Sequence, residues 1–261
     1  MRTETFQTPG LVTLAVRIPA GKIELEAIQS AETRIEVDAS NADAEAAVRI
    51  ELRERGDRYE VVVEAPRRFF DREEYRLGIS APDGATLEAA TSSADIEARG
   101  SFGSLEVATA SGDVVVQDVT GELRVKSASG DLIAQSIGGE ASVQTASGDV
   151  ILKTLGGEGT IRSASGDVVV KQAAAGLRVQ TASGDQTVGS VTRGEVALQS
   201  ASGDIEVGIA RGSSVYVDAH SASGDMVSEL DLADEAPGGE GPSVELRATT
   251  MSGDVRVVRA G

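Results

Sequence analysis

The chain has 261 residues, 42 of them acidic and 24 basic, so its net charge is −18. Such a surface repels phosphates, which argues against nucleic acid or an anionic membrane as a partner. Cysteine is absent, which excludes disulfides and thiol chemistry. The N-terminal sequence lacks a signal-peptide pattern, and no stretch approaches the roughly 18 apolar residues of a membrane span, so we expect a cytoplasmic protein.

Residues 1–84 contain short strands without a repeated phrase. Apolar and polar residues alternate over residues 14–18, 23–27 and 75–79, which predicts strands with one solvated face. We interpret this part as an N-terminal β-cap, because a bare sheet end invites pairing with other chains. The pattern leaves open whether its strands wind as irregular early rungs or form a small sandwich. The Arg-Arg-Phe-Phe cluster at 67–70 is predicted to be a loop that plugs the cap rather than a ligand site.

From residue 85 onward one phrase returns at a fixed period. It reads Thr/Ser-Ala-Ser-Gly-Asp in seven copies, with variants ending at Asp95 and Asp254. The closing aspartates lie 18 residues apart from Asp95 to Asp185, and the later spacings widen to 19, 21 and 29 residues. A fixed period of this kind is typical of a solenoid, in which each repeat stacks on the previous one.

Each period contains two nine-residue halves that open with glycine and carry apolar residues in strand alternation. We therefore predict an all-β protein, a parallel β-solenoid with 18-residue rungs over residues 85–261, where a rung is two strands and two turns. Val114 and Val116 should point into a thin aliphatic core. The small residue before Ser-Gly should also point inward at each corner, namely Ala110, Ala128, Ala146, Ala164, Ala182, Ala201 and Ala222.

Beyond Asp204 the pattern loosens. Residues 231–242 are acidic and rich in Gly and Pro, which predicts an exposed loop inserted in the solenoid. We expect the last copy of the phrase to form the terminal rung, where Met251 would have more space. Arg256 and Arg259 would then protect the last edge by placing charge beside it.

Stacking predicts a file of carboxylates one rung apart: Asp113, Asp131, Asp149, Asp167, Asp185, Asp204 and Asp225. We expect each to accept hydrogen bonds from amides of its own turn. A cation ladder is the alternative, but calcium-binding β-rolls use Gly-Gly-x-Gly-x-Asp, and this chain has one Gly-Asp per period. We therefore predict no metal site and no cofactor.

Two hydroxyls flank each alanine of the phrase, and we expect both to face solvent as twin rows that could bind carbohydrate or ice. Catalysis is disfavoured, because His220 is the only histidine and its neighbour Ser221 should point to the other face of the strand. No Ser-His-Asp arrangement or paired carboxylates stand out. An acid-dependent carbohydrate-active β-helix enzyme is the alternative.

The recurring Ser/Thr-Ala-Ser-Gly-Asp-Val/Ile phrase, with Gly-Asp/Glu-Leu/Val-x-Val between its copies, resembles the bacterial putative-adhesin β-strand-repeat family, a domain of unknown function. The resemblance covers residues 11–259 and implies a right-handed β-solenoid without an established activity. We predict a non-enzymatic scaffold or adhesion-like binding protein whose partner is an unknown protein or carbohydrate. The alternative is a self-assembling filament of the bactofilin kind, a homo-oligomer through the solenoid ends.

Overall fold

In a computed structural model of the protein, residues 1–66, 73–230 and 242–260 are described. The chain divides into two compact units, Met1–Asp131 and Leu132–Gly261, both built almost entirely of strands. The cluster at 67–70 and most of the predicted loop, residues 231–241, lie outside the described residues. No helix in the described ranges is both long enough and apolar enough to span a membrane.

The first unit contains ten strands and one short helix in its described part: β1 (Arg2–Gln7), β2 (Leu11–Ile28), β3 (Glu32–Ala39), α1 (Ala42–Ala47), β4 (Arg49–Arg55), β5 (Arg58–Glu64), β6 (Tyr75–Pro82), β7 (Thr86–Phe102), β8 (Leu105–Ser111), β9 (Val114–Val119) and β10 (Leu123–Ser129). The helix α1 was not predicted from the sequence. It forms because the Asn41 side chain accepts from the Ala44 N–H at 2.8 Å and caps its first turn.

The second unit continues with thirteen strands in its described part: β11 (Leu132–Ile137), β12 (Ala141–Ser147), β13 (Val150–Leu155), β14 (Gly159–Ser165), β15 (Val168–Ala173), β16 (Leu177–Ser183), β17 (Gln186–Val191), β18 (Gly194–Ser202), β19 (Ile205–Ile209), β20 (Ser214–Ser221), β21 (Met226–Ser228), β22 (Ser243–Ser252) and β23 (Val255–Arg259).

Within each unit, successive rungs stack as parallel strands in register. β8 pairs with β7 on one side and β10 on the other, so Leu105 lies between Leu87 and Leu123. The second strand of each rung behaves likewise, for example β13 with β15. The predicted parallel β-solenoid with 18-residue rungs is therefore confirmed, and so is its aliphatic core, because Val114 and Val116 are buried.

The corner of each rung differs from the prediction. Strand alternation continues through the phrase, so Val107 and Thr109 both point inward and Ala110 points outward. The predicted inward corner is therefore wrong at every copy, and the exposed alanines are Ala110, Ala128, Ala146, Ala164, Ala182, Ala201 and Ala222. The chain turns one step later, at Ser-Gly-Asp.

Glycine is required at this turn for two reasons, which Gly166 illustrates. Its φ is +118°, a conformation that L side chains rarely adopt. An added Cβ would also lie 2.3 Å from the carbonyl oxygen of Gly148, one rung away. The corners can therefore stack closely only if the position has no side chain.

At the N-terminal end of the first unit, β2 is itself a rung. It pairs in parallel with β7, and on its other side with β5 and β6, which together form a further rung. Antiparallel strands then extend this end: β3 pairs with β6, β1 with β3, and β4 with β5. The strands that the sequence left ambiguous therefore form both irregular rungs and an antiparallel covering.

At the C-terminal end of the second unit, the rungs do not follow chain order. β22 lies between β18 and β20, and β23 lies between β19 and β21. The last copy of the phrase is thus an internal rung, which corrects the prediction for Met251 and for the two arginines. Met251 is exposed because it takes the outward place of the alanine, and Arg259 donates to the carbonyl of Ser213 at 3.0 Å.

Candidate functional site

The predicted carboxylate file exists in each unit, but its hydrogen bonds run between rungs. In the first unit, Oδ1 of Asp95 accepts from the Asp113 N–H at 3.0 Å, and Oδ1 of Asp113 accepts from the Asp131 N–H at 2.9 Å. The prediction that each carboxylate binds amides of its own turn is wrong. The in-register corners place the amide of the neighbouring rung closer.

The second unit repeats this arrangement through its reordered end. Each carboxylate accepts from the N–H of the next aspartate at 2.8 Å. The spatial order is Asp149, Asp167, Asp185, Asp204, Asp254 and Asp225. Asp254 therefore joins the file that the sequence predicted without it.

The repulsion between neighbouring carboxylates of the file is weak because their side chains are exposed to solvent. Unit charges one rung apart, about 4.8 Å, repel by about 1 kcal/mol in water. A hydrogen bond to a charged acceptor contributes about 1.5–3 kcal/mol, which offsets that repulsion. All these aspartates are exposed. The ladder thus holds one oxygen of each carboxylate in a fixed place at the surface.

No group of three or more His, Cys, Asp or Glu side chains in the described ranges is arranged to hold a metal ion. The hydrogen bonds of the file join a carboxylate to a backbone N–H of the neighbouring rung, as between Asp149 and Asp167, and do not direct several carboxylates toward one point. The cation ladder over Asp113, Asp131, Asp149, Asp167, Asp185, Asp204 and Asp225 stays the alternative to the prediction of no metal site, and a calcium titration would test it.

The two hydroxyls of the phrase have different environments. The first points inward and closes the turn, as where the Thr145 hydroxyl donates to the Ser147 carbonyl at 2.8 Å. The second, for example that of Ser147, is exposed. The predicted twin rows are therefore wrong, since alternation sends the first hydroxyl toward the core. Each regular corner shows solvent one alanine, one serine and one aspartate.

A polar cleft that the sequence did not predict lies at the start of the file in the first unit. In register, Lys22 takes the place of the ladder aspartate beside Asp95, and Arg76 follows on the next rung. These two cations, with Asp38 and Ser40, line a cleft of about 590 Å³. The signal was Gly21-Lys22, a Gly-x corner without the repeated phrase around it, so its register could not be read.

The charges beside this cleft largely neutralise one another. Lys22 Nζ donates to Glu24 at 2.7 Å and to Glu97 at 3.2 Å, and the hydrogen bond with Glu24 is the main reason that the pKa of Lys22 is raised. Arg99 Nε donates to Glu97 at 2.8 Å, and mainly this contact lowers the pKa of Glu97. The network holds the outer face of these rungs together rather than presenting a free charge.

The structure does not combine His220 and Ser221 into a catalytic pair. His220 is exposed on the outward face of β20, whereas the Ser221 hydroxyl donates to the carbonyl of Gly253 at 2.9 Å. The two side chains point to opposite faces, as strand geometry requires.

Comparison with solved structures finds similar proteins at low identity. One is described as a putative lipid binding protein from Parabacteroides distasonis ATCC 8503, 15% identical, covering 99% of this chain and 96% of its own, with a TM-score of 0.47. Another is described as a putative adhesin from Parabacteroides merdae ATCC 43184, 13% identical, covering 98% and 95%, with a TM-score of 0.40.

No curated protein matches the chain. The family model Toastrack DUF4097 matches residues 12–258, which span the early rungs, every copy of the phrase and the reordered end. This agrees with the resemblance that the repeated phrase suggested. By its sequence over almost its whole length, and with the stacked rungs described above, the chain belongs to the Toastrack DUF4097 family.

Proposed function

We propose that the protein is a non-enzymatic scaffold that binds a partner, a protein or a carbohydrate, through the exposed Ala-Ser-Gly-Asp corners of its rungs. One observation carries this proposal: within each unit the regular corners present the same serine hydroxyl and the same carboxylate, at intervals of one rung. Such a surface suits an extended partner that offers hydrogen-bonding groups at a similar spacing.

The corner surface is also rigid before it binds. In the second unit the aspartates before Asp225 accept a hydrogen bond from an amide of the next rung, and each glycine corner stacks on the backbone of its neighbouring rung. A surface that is already ordered loses little side-chain entropy when a partner binds. This supports a role in recognition, because many weak polar contacts can add up on a preorganised face.

A binding role accounts for the repetition better than catalysis does. An active site needs a few groups in one unique arrangement, whereas the corners of the second unit repeat one arrangement along the ladder. The acid-dependent carbohydrate-active enzyme is accordingly the weaker of the two candidates. Turnover of a glycan by the purified protein would favour it.

The test compares three proteins for binding to a glycan array and to proteins captured from the native host. The first is wild type, and the second carries Ser165→Arg and Ser183→Arg on the exposed corners of adjacent rungs. The third carries Gln135→Arg and Gln144→Arg, which add the same charge at exposed positions of β11 and β12 outside the Ala-Ser-Gly-Asp residues. The proposal predicts a partner that binds wild type and the control but loses at least about tenfold in affinity for the corner variant. Equal binding by both variants would contradict it.

A further inference from the structure

The described strands leave one end rung with unpaired edges. Among the described strands, β20 pairs with β22 alone and β21 with β23 alone. Inward residues of β20 such as Val215 and Val217 are half-exposed, whereas their partners Val244 and Leu246 on β22 are at most 1% exposed. Among the described residues the aliphatic core is therefore open at this rung.

Four of the large exposed hydrophobic residues of the described chain lie on the two outermost rungs of this end. Large exposed hydrophobic residues are few in the described chain, yet Tyr216 is 68% exposed, and Met226, Val227 and Met251 are also exposed. A groove of about 440 Å³ is lined by Tyr216 and other residues at the start of the paired strands β20 and β22. Exposed apolar groups that cluster, rather than scatter singly, mark interaction surfaces.

The usual protection of a sheet edge is missing here. β20 reads SVYVDAHS and β21 reads MVS, without lysine, arginine or proline. Edge strands of natural proteins commonly carry such residues to prevent pairing. At the N-terminal end of the first unit, by contrast, β4 reads RIELRER and lies antiparallel on β5.

We propose that this end rung binds a second copy of the chain, with β20 of each copy pairing antiparallel across a two-fold axis. An isologous contact needs a self-complementary strand. In an antiparallel pair, the numbers of any two opposed residues add up to the same total. Inward residues of β20 have odd numbers, so they face one another only if that total is even. Two such registers overlap most of β20, one centred on Val217 and one on Asp218.

Charge decides between these registers. Centring on Asp218 would place that carboxylate directly opposite its copy, which destabilises an antiparallel pair. Centring on Val217 places Asp218 opposite Tyr216 and His220 opposite Ser214, without like charges face to face. Inside, Val215 meets Ala219 and the two copies of Val217 meet each other, which would extend the apolar core across the interface.

The contact closes on itself. Because the same strand supplies both halves, pairing uses up the free edge of β20 in each copy. At the N-terminal end of the first unit, the described outer strand β4 reads RIELRER and is rich in charged residues. The structure thus favours a closed dimer over the open filament that the sequence left as an alternative.

Sedimentation and light scattering over a wide concentration series test the proposal. Wild type is expected to be a dimer that dissociates on dilution. The double change Tyr216→Glu and Met226→Glu, at exposed side chains, places a carboxylate opposite Asp218 of the second copy. It should raise the dissociation constant at least about 100-fold while leaving the circular dichroism spectrum unchanged. Gln135→Glu with Gln144→Glu is the matched control and should leave the dimer intact.

A single cysteine tests the register, since the chain has none. Directly opposed residues of an antiparallel pair have Cα atoms about 4.5–5.5 Å apart, within disulfide range. Val217→Cys should form a covalent dimer on oxidation, and Gln135→Cys should not. A wild-type protein that stays monomeric near millimolar concentration, as it would if another segment of its own chain covered β20, would overturn the proposal. So would a dimer that survives the double glutamate change.

Discussion

The N-terminal end of the first unit and the C-terminal end of the second are built alike in one respect and differ in another. In both, a segment near a chain terminus lies between two rungs: β2 between β6 and β7, and β22 between β18 and β20. Among the described strands, antiparallel ones extend the ladders of rungs at the N-terminal end alone, as β3 does on β6. Interleaving the chain ends and protecting the sheet edges are therefore separate structural tasks.

The corner glycines should show the largest difference between the two ends. In Gly21→Ala the new Cβ would lie 1.9 Å from the Tyr75 carbonyl oxygen at a φ of +119°, inside a covered rung, so we expect a loss of about 3 kcal/mol or more. In Gly224→Ala the new Cβ would also meet a backbone oxygen, that of Gly253. Because Gly224 lies on the outermost described rung, which can shift, we expect a loss of only about 1 kcal/mol in the free energy of unfolding. Urea unfolding measures both, and equal losses would contradict the comparison.

Inward valines give a matched pair of core substitutions. Val63 on β5 is fully buried, so Val63→Ala should cost about 2 kcal/mol through lost burial and a residual cavity. Val217 on β20 is half-exposed, so Val217→Ala should cost less than about 1 kcal/mol when measured on the monomer at high dilution. A large loss at Val217 under those conditions would mean that part of the chain buries it.

The aspartate ladder offers a smaller comparison within the second unit. Asp204→Ala removes the acceptor of the Asp254 N–H and should cost about 1 kcal/mol. Asp225 ends the described file, so Asp225→Ala should be close to neutral. Asp204→Asn keeps an acceptor oxygen and removes repulsion between neighbours, so thermal unfolding should show most of the stability restored. If the Asn variant is as unstable as the Ala variant, the hydrogen bond is not what matters.

The smallest effect should be the pH dependence from Glu97. Its pKa is lowered in the folded protein, chiefly by Arg99, so its stabilising effect is present above the ordinary glutamate pKa and is lost as pH falls through the folded value. Wild type should therefore exceed Glu97→Gln in stability at neutral pH, and the difference should shrink toward strong acid. A difference that does not change with pH would show that the pair is screened.

The sequence predicted the repeat because its signals are local. Glycine spacing and alternation around Val114 and Val116 specify a strand, a turn and their period without reference to the rest of the chain. The predicted orientation of Ala110 was wrong because the alanine, as the apolar residue of the phrase, was taken to be the one that points inward. The threonine before it was the inward residue, and a polar side chain at an inward position gives no hydrophobic signal.

Rung order could not be predicted, for a different reason. The strand that continues β18 is β22, whose Val244 pairs with Gly194 fifty positions earlier, and nothing in the phrase distinguishes its copies as partners. The same holds for the cleft near Lys22, which depends on the register of β2 against β6. Long-range pairing among near-identical strands is specified by the ends and their packing rather than by local pattern.

The interleaved C-terminal end has a consequence for how the chain is made. A ribosome releases β20 and β21 before β22 and β23, so during translation the earlier strands have only β18 and β19 as templates. We expect a provisional rung to form there and then to be displaced when the last residues emerge. A slow refolding phase that vanishes when residues 243–261 are deleted would reveal this exchange. In a protein truncated near residue 230, we expect β20 and β21 to pair directly with β18 and β19, in the places that β22 and β23 occupy in the full chain.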